Sequence, residues 1–348
     1  MSEITKDNHY VPQSLQRRWS QDEKHVYAYR TLVSHPDVPV WQLKSISKLA
    51  FHKDLYTQVA NGCEVDEFEK WIGTQFEDLG FKAVNKIVDG VRLKPDDWHN
   101  LARLFAAQDV RTPSSFIEQT QWWEESLPTA IDESLKEGVA KLQDAMDNNI
   151  PLEPLNEPTE LAKCCRVHID GRDDPTTDMA TIRLEVLVGR KLWIANMRHL
   201  LTWIAETLCK HRWSIAQPCE GEEWPLTDHP AIRLNYYKHG HYDFKGGWGN
   251  PGTELMMPVS PRHLLYVQVG KKHPNRFPFS REQTKLVQKL IVERAHRWVF
   301  TSRPEQWVVD CRTRVVDKNR FAEEEEGWKE WSVNQLDAEI AHDTARNK

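Results

Sequence analysis

The chain lacks most of the signatures that give a function away. Its six cysteines, Cys63, Cys164, Cys165, Cys209, Cys219 and Cys311, form no C-x-x-C pair, which argues against a structural zinc site of the usual spacing. Low cysteine density and no recognisable signal peptide lead us to expect a reducing, cytoplasmic location. There is no internal repeat, G-x-x-x-x-G-K-[ST] loop, H-E-x-x-H helix, serine nucleophile elbow or dinucleotide fingerprint. P-loop, zincin, α/β-hydrolase and Rossmann chemistry therefore have no motif behind them. No apolar run reaches the ~20 residues of a membrane span. The most apolar stretch, from Lys191, is broken by Arg198, His199 and Glu206. Positive charge is not in excess either: 46 Lys+Arg against 52 Asp+Glu give a formal net charge of −6. Strong duplex-DNA binding is not expected from that balance.

What the chain does have is a globular composition. Hydrophobic residues make up 39% and charged residues 28% of its 348 positions, which fits a folded protein and not a disordered one. The 15 Trp residues are scattered, so we read most of them as core. Long helical periodicity alternates with short strand signals. The expected fold class is therefore α+β: a helix-rich single domain over 9–310, with a small, mostly antiparallel sheet and a buried central helix at 192–208. Residues 1–8 are expected to be a flexible N-terminus. Residues 311–348 form a charged C-terminal extension, whose run Glu323-Glu324-Glu325-Glu326 we read as a solvated face. Helices are expected over 65–123, with Asp96 as a cap, from 178 into the central segment, and over 281–298. Strands are expected at 25–30, 54–57, 212–216, 231–234, 254–258, 263–269 and 299–301. Pro151, Pro154 and Pro158 mark a long loop.

Three polar motifs sit at the ends of apolar elements. His9 and Tyr10 precede a helix that Pro12 can start, with Gln13 in its first turn; such an end favours anions. Gln108 and Arg111 lie where a later helix meets Pro113. Arg there can clamp a carboxylate or phosphate bidentately, or it can simply answer the helix dipole. Asp228 belongs to the turn Leu226-Thr227-Asp228-His229-Pro230. A carboxylate at the end of a core strand is well placed for chemistry, but Asp in such a turn also caps its own backbone.

Together the segments His9-Tyr10-Val11-Pro12-Gln13, Gln108-Asp109-Val110-Arg111-Thr112-Pro113, Thr227-Asp228-His229-Pro230 and Met257-Pro258-Val259-Ser260-Pro261, with 295–302, resemble the bacterial family called domain of unknown function 4238. Thr227 stands where that family usually has Ser, and Trp19 where it has Phe. The resemblance carries no activity. It implies that His9, Gln13, Gln108, Arg111 and Asp228 share one site. One reading is a hydrolase acting on phosphodiester bonds of RNA or nucleotides. His9 would move a proton, Arg111 would stabilise the phosphoryl group, and Asp228 would orient the imidazole or hold a divalent metal ion. Gln13, Gln108 and Tyr10 would bind the substrate. The alternative is a non-enzymatic sensing module that grips a phosphate or a peptide; a purely structural role is the third. The sequence does not fix the oligomeric state. We expect His9, Arg111 and Asp228 to line one cavity.

Overall fold

Apolar residues at helical spacing between 67 and 88 go where that spacing sends them. Phe68, Ile72, Phe76, Ala83, Val84 and Ile87 are all buried. A computed structural model describes residues 7–60, 63–151, 161–170 and 181–346. A short α1 (Gln13–Gln16) follows Pro12. The 67–88 segment is α2 (Glu67–Ile72) and α3 (Asp78–Val88), joined by a π turn at Gly73–Glu77. α4 (Pro95–Val110) begins on a proline, whose missing N–H costs nothing in a first turn. Its cap is not the expected Asp96: the Asp97 carboxylate reaches back to the Lys94 N–H at 2.8 Å. At Arg111 the chain turns, and Thr112 caps α5 (Pro113–Asp147) by accepting from the Ser115 N–H at 3.2 Å.

The central apolar run is α6 (Arg190–His199), a π turn at Leu200–Ile204 and α7 (Glu206–Cys209). Leu192, Trp193, Ile194, Met197, Leu201 and Leu208 are buried, but Trp203 is 71% exposed. The segment is thus one-sided rather than enclosed. A π turn holds one residue more than an α turn, which rotates the remainder of the helix by about 100° and carries part of the run out of the core. The chain continues through α8 (Arg281–Arg294), α9 (Gln306–Cys311) and α10 (Lys318–Arg346).

The expected mixed class holds, but the strands form several small sheets instead of one. The largest runs His241–Asp243, Ile232–Lys238, Glu254–Ser260, His263–Gln268, Ser214–Gln217, Arg276–Pro278; only its last pair is parallel. A second, fully antiparallel sheet orders Leu226–Thr227, Trp298–Thr301, His25–Arg30, Trp41–Ser45. A two-stranded ladder pairs Asp7–His9 with Phe51–Lys53.

Some local expectations fail for identifiable reasons. Residues 54–57 turn instead of extending, because Asp54 takes a left-handed φ of 56°. Thr181–Val186 is a strand paired with Cys165–Asp170, not helix; the expected loop around 171–177 and most of the proline-rich one lie outside the described residues. α8 stops at Arg294, so Trp298 opens a strand. The acidic run is only partly solvated, since Glu324 pairs with Arg297 at 2.5 Å. No helix among the described residues is long and apolar enough to cross a membrane.

Candidate functional site

Arg111 is almost wholly buried, and every part of its fork is engaged. Nη1 pairs with Glu77, Nη2 with Glu69 at 3.1 Å and with the His9 carbonyl at 2.9 Å, and Nε lies 3.3 Å from the Tyr56 hydroxyl. The Tyr56 hydroxyl in turn donates to the Arg111 carbonyl at 2.5 Å. Both carboxylates come from the α2–π–α3 segment, and Glu77 sits inside the π turn itself. Burial pushes the Glu77 carboxyl up, with Arg111 opposing. The cluster therefore brings His9 and Arg111 together, but through the backbone of His9. The His9 ring is half-buried, 3.2 Å from the Gln13 amide nitrogen. Burial lowers its pKa, with the Ser47 and Asp7 backbone opposing.

Asp228 goes elsewhere. Its two carboxylate oxygens accept from the His296 and Arg297 N–H groups at 2.8 and 2.7 Å. It thus ties the polar turn to the start of the Trp298–Thr301 strand. Burial raises its carboxyl to about 6, against those N–H groups. Tyr10 is its electrostatic neighbour: burial lifts that phenol well above its usual range, and Asp228 adds to the lift. Among the described residues Asp228 makes no hydrogen bond to His9 or Arg111. The turn is closed by Thr227, not Asp228: Thr227 Oγ1 donates to the His229 carbonyl at 2.9 Å. Gln108 is fully buried, and its amide has no hydrogen-bond partner among the described residues.

The Gln108–Pro113 motif also sends Asp109 and Val110 to a cleft of about 970 Å³. Its walls come from the end of α4, the first turns of α5, the outer face of α6 and its π turn, and the 243–248 loop. Asp109 lines it from the end of α4. Its Oδ2 accepts from the Trp248 indole at 2.7 Å and lies 3.3 Å from Arg233 Nε; its buried Oδ1 has no partner among the described residues. Arg294, at the end of α8, grips Glu118 with two bonds of 2.7 and 2.9 Å. Behind it His229 Nε2 lies 3.3 Å from Arg294 Nη2. Burial, with Arg294 adding, holds that imidazole well below its usual pKa, so it is neutral near pH 7. Asn196 donates to Gln119 at 2.7 Å across the α5–α6 wall. Trp122, Phe244 and Trp248 supply aromatic surface.

A family model described as a protein of unknown function (DUF4238) matches residues 7–305. The chain belongs to that family. No curated protein and no solved structure matches it. Every motif from the sequence falls inside the DUF4238 segment, and so does every residue lining the cleft; α10 falls outside it.

The structure thus separates the residues nominated from the sequence: Arg111 meets the His9 backbone in one cluster, Asp228 lies in another, and neither Arg111 nor Asp228 lines the cleft, where Asp109 of the same motif does. Asp109 lies two residues from Arg111, and two steps along a helix turn a side chain by about 200°. Asp109 and Arg111 could not serve the same pocket, and that was readable. Arg233, Trp248 and Arg294 left no local signal; they reach the cleft only through tertiary contacts, the first two at Asp109 and the third at Glu118.

Proposed function

We propose that the protein binds a nucleotide-class ligand, a heteroaromatic ring carrying phosphate, in the cleft above Asp109. One observation carries this reading: Asp109, a residue lining the aromatic-walled cleft, has a buried carboxylate oxygen, Oδ1, without a partner among the described residues. Leaving such an acceptor unpaired costs about 1–3 kcal/mol. A ring N–H or amino group that meets this oxygen, once the carboxylate turns toward the cleft, removes that cost. Trp122, which is exposed, and Phe244 offer faces for stacking, worth about 1–3 kcal/mol per base. Lys245 at the rim, which makes no ion pair among the described residues, suits a phosphate. The volume lies near the top of the range of about 300–1,000 Å³ usual for small-molecule sites. Asp109, Glu118, Glu125 and Asp243 against Arg233, Lys245 and Arg294 leave one negative charge in excess. That balance disfavours a long polyanion more than a single nucleotide.

Hydrolysis of a phosphodiester bond is the second reading, favoured by carboxylates set beside arginines. Asp109 or Glu118 can take a proton from water while Arg233 or Arg294 stabilises a phosphoryl group. Arg111 and Asp228 support it less, because their polar atoms are already engaged.

Calorimetry with nucleosides, nucleotides, cyclic dinucleotides and short RNA, with and without divalent metal, tests both. Asp109→Asn keeps the shape but replaces the free acceptor by a donor. We expect one ligand class to bind the wild type and to lose about tenfold or more in affinity with the variant, or ~1.4 kcal/mol. Ligand recovered intact identifies a binding module, and cleaved ligand a hydrolase. If nothing in the panel binds, or the variant binds equally well, the cleft reading is wrong.

A further inference from the structure

We propose that His99, Glu206 and Cys209 form a binding site for a zinc-class transition-metal ion, apart from the cleft above. The ligand atoms these side chains offer all lie within 4.8 Å of one another. His99 Nε2 is already 3.5 Å from a Glu206 carboxylate oxygen. Bonds of about 2.0–2.3 Å to a tetrahedral ion set neighbouring ligand atoms roughly 3.3–3.8 Å apart. Closing on an ion thus requires a shift of about 1.5 Å at most. The side chains are free to make it: His99 and Glu206 are 45% and 54% exposed, and the Cys209 thiol makes no hydrogen bond among the described residues.

The fold explains why these three residues meet. Glu206 and Cys209 are three apart on α7, so they share a face, and α7 packs against α4, which carries His99 in its second turn. The π turn just before α7 sets that phase. Its extra residue rotates α7 by about 100° relative to an unbroken helix. Motifs of fixed local spacing miss such a site because its ligands come from two distant elements.

A thiolate, an imidazole and a carboxylate make a mixed donor set that suits zinc, whereas magnesium and calcium prefer oxygen alone. A thiol with no metal bound is mostly protonated near neutral pH. Binding is then an exchange without redox change. A sulfur–zinc bond forms, the S–H bond breaks, and its proton leaves to water. Three protein ligands leave a fourth position open, as in catalytic rather than structural zinc sites. His99 and Cys209 also line a second cleft, of about 500 Å³, together with Asp96, His211 and Asn275. Water or an anionic ligand in the fourth position would complete the coordination.

The test uses chelator-stripped full-length protein. Zinc titrated against a chromophoric chelator should bind at one equivalent and release one proton per ion. Cobalt should give a thiolate-to-metal charge-transfer band. Cys209→Ser should abolish the band and weaken zinc binding by about tenfold or more. Glu206→Gln alters an exposed side chain, so it should weaken zinc binding while melting like the wild type. Zinc affinity unchanged in both variants, or a cobalt–thiolate band that survives Cys209→Ser, overturns the assignment.

Discussion

At the scale of single residues, the charged groups nominated from the sequence turn out to be the ones most bound up in the fold. Arg111 is the clearest case. It offsets Glu69 and Glu77, neither of which is far from burial. Replacing it by Met should leave two carboxylates without a counter-charge and cost about 3–5 kcal/mol of stability. Arg111→Lys should cost less, about 1–3 kcal/mol, since one ammonium cannot hold two acids, a carbonyl and a hydroxyl at once. Urea unfolding of the three proteins decides the matter, and equal midpoints would refute it. A second expectation concerns pH. Burial, with Arg297 and Arg312 adding, lowers the His296 imidazole to about 4. Between that value and about 6.5 the unfolded chain holds a proton that the folded chain does not. Stability from this residue is complete above about pH 6.5 and is lost as pH falls toward 4, by up to about 3 kcal/mol. Asp228, raised to about 6, contributes a slope of the opposite sign from about pH 4 to 6. His296→Gln should therefore flatten the acid side of the stability profile; a wild type and variant that fall in parallel would count against it. Alternation made part of this legible: neighbours in an extended turn point to opposite sides, so Asp228 and His229 had to serve different partners. Which partners they find depends on chain 65 to 70 residues away, and no local pattern encodes that.

At the scale of elements, periodicity and punctuation were reliable and phase was not. The strand His25–Arg30 and the break at Pro113 lie where the residues put them. Ser280 caps α8 by accepting from the Gln283 N–H at 3.2 Å, and the Gln283 side chain accepts back from the Ser280 N–H at 2.9 Å. That reciprocal pair was readable as S-x-x-Q. The two π turns were not. Each lies within a run whose composition suits an α-helix, and each changes which face meets the core. The first places Glu77 against Arg111, and the second exposes Trp203 and turns α7 toward His99. The Arg111 cluster and the candidate metal site thus each depend on a one-residue irregularity chosen by tertiary packing. The sheets fail from the sequence for a related reason. Strands such as Asp7–His9 and Phe51–Lys53 are three residues long, too short for alternation to be distinguished from loop.

At the scale of the whole molecule, the decisive element is one the family segment leaves out. α10 lies beyond residue 305, yet it binds the chain in several places. Glu339 holds Arg190 with bonds of 3.0 and 2.9 Å, both side chains being almost fully buried. The Trp328 carbonyl lies 2.7 Å from His52 Nε2, Trp331 packs edge-on against Phe116 and His52, and Ser332 donates to the Lys53 carbonyl at 2.7 Å. Arg190 and Lys191 open α6, whose outer face carries Asn196 and the π turn into the large cleft. α10 therefore steadies one wall of the cleft from behind without touching a ligand. Glu339→Ala should leave Arg190 buried and unpaired, at a cost of about 3–5 kcal/mol. That is a large share of the roughly 5–15 kcal/mol that stabilises a domain. Arg190→Met with Glu339→Leu, which fills the same space with apolar groups, should recover most of the loss. A chain ending at residue 317 should fare worse than Glu339→Ala, since it also uncovers His52 and Phe116. Thermal and urea unfolding of the four proteins rank them. A truncated chain that unfolds with the full-length midpoint would show α10 to be an appendage, and the cleft wall would then owe its position to α4 and α5 alone.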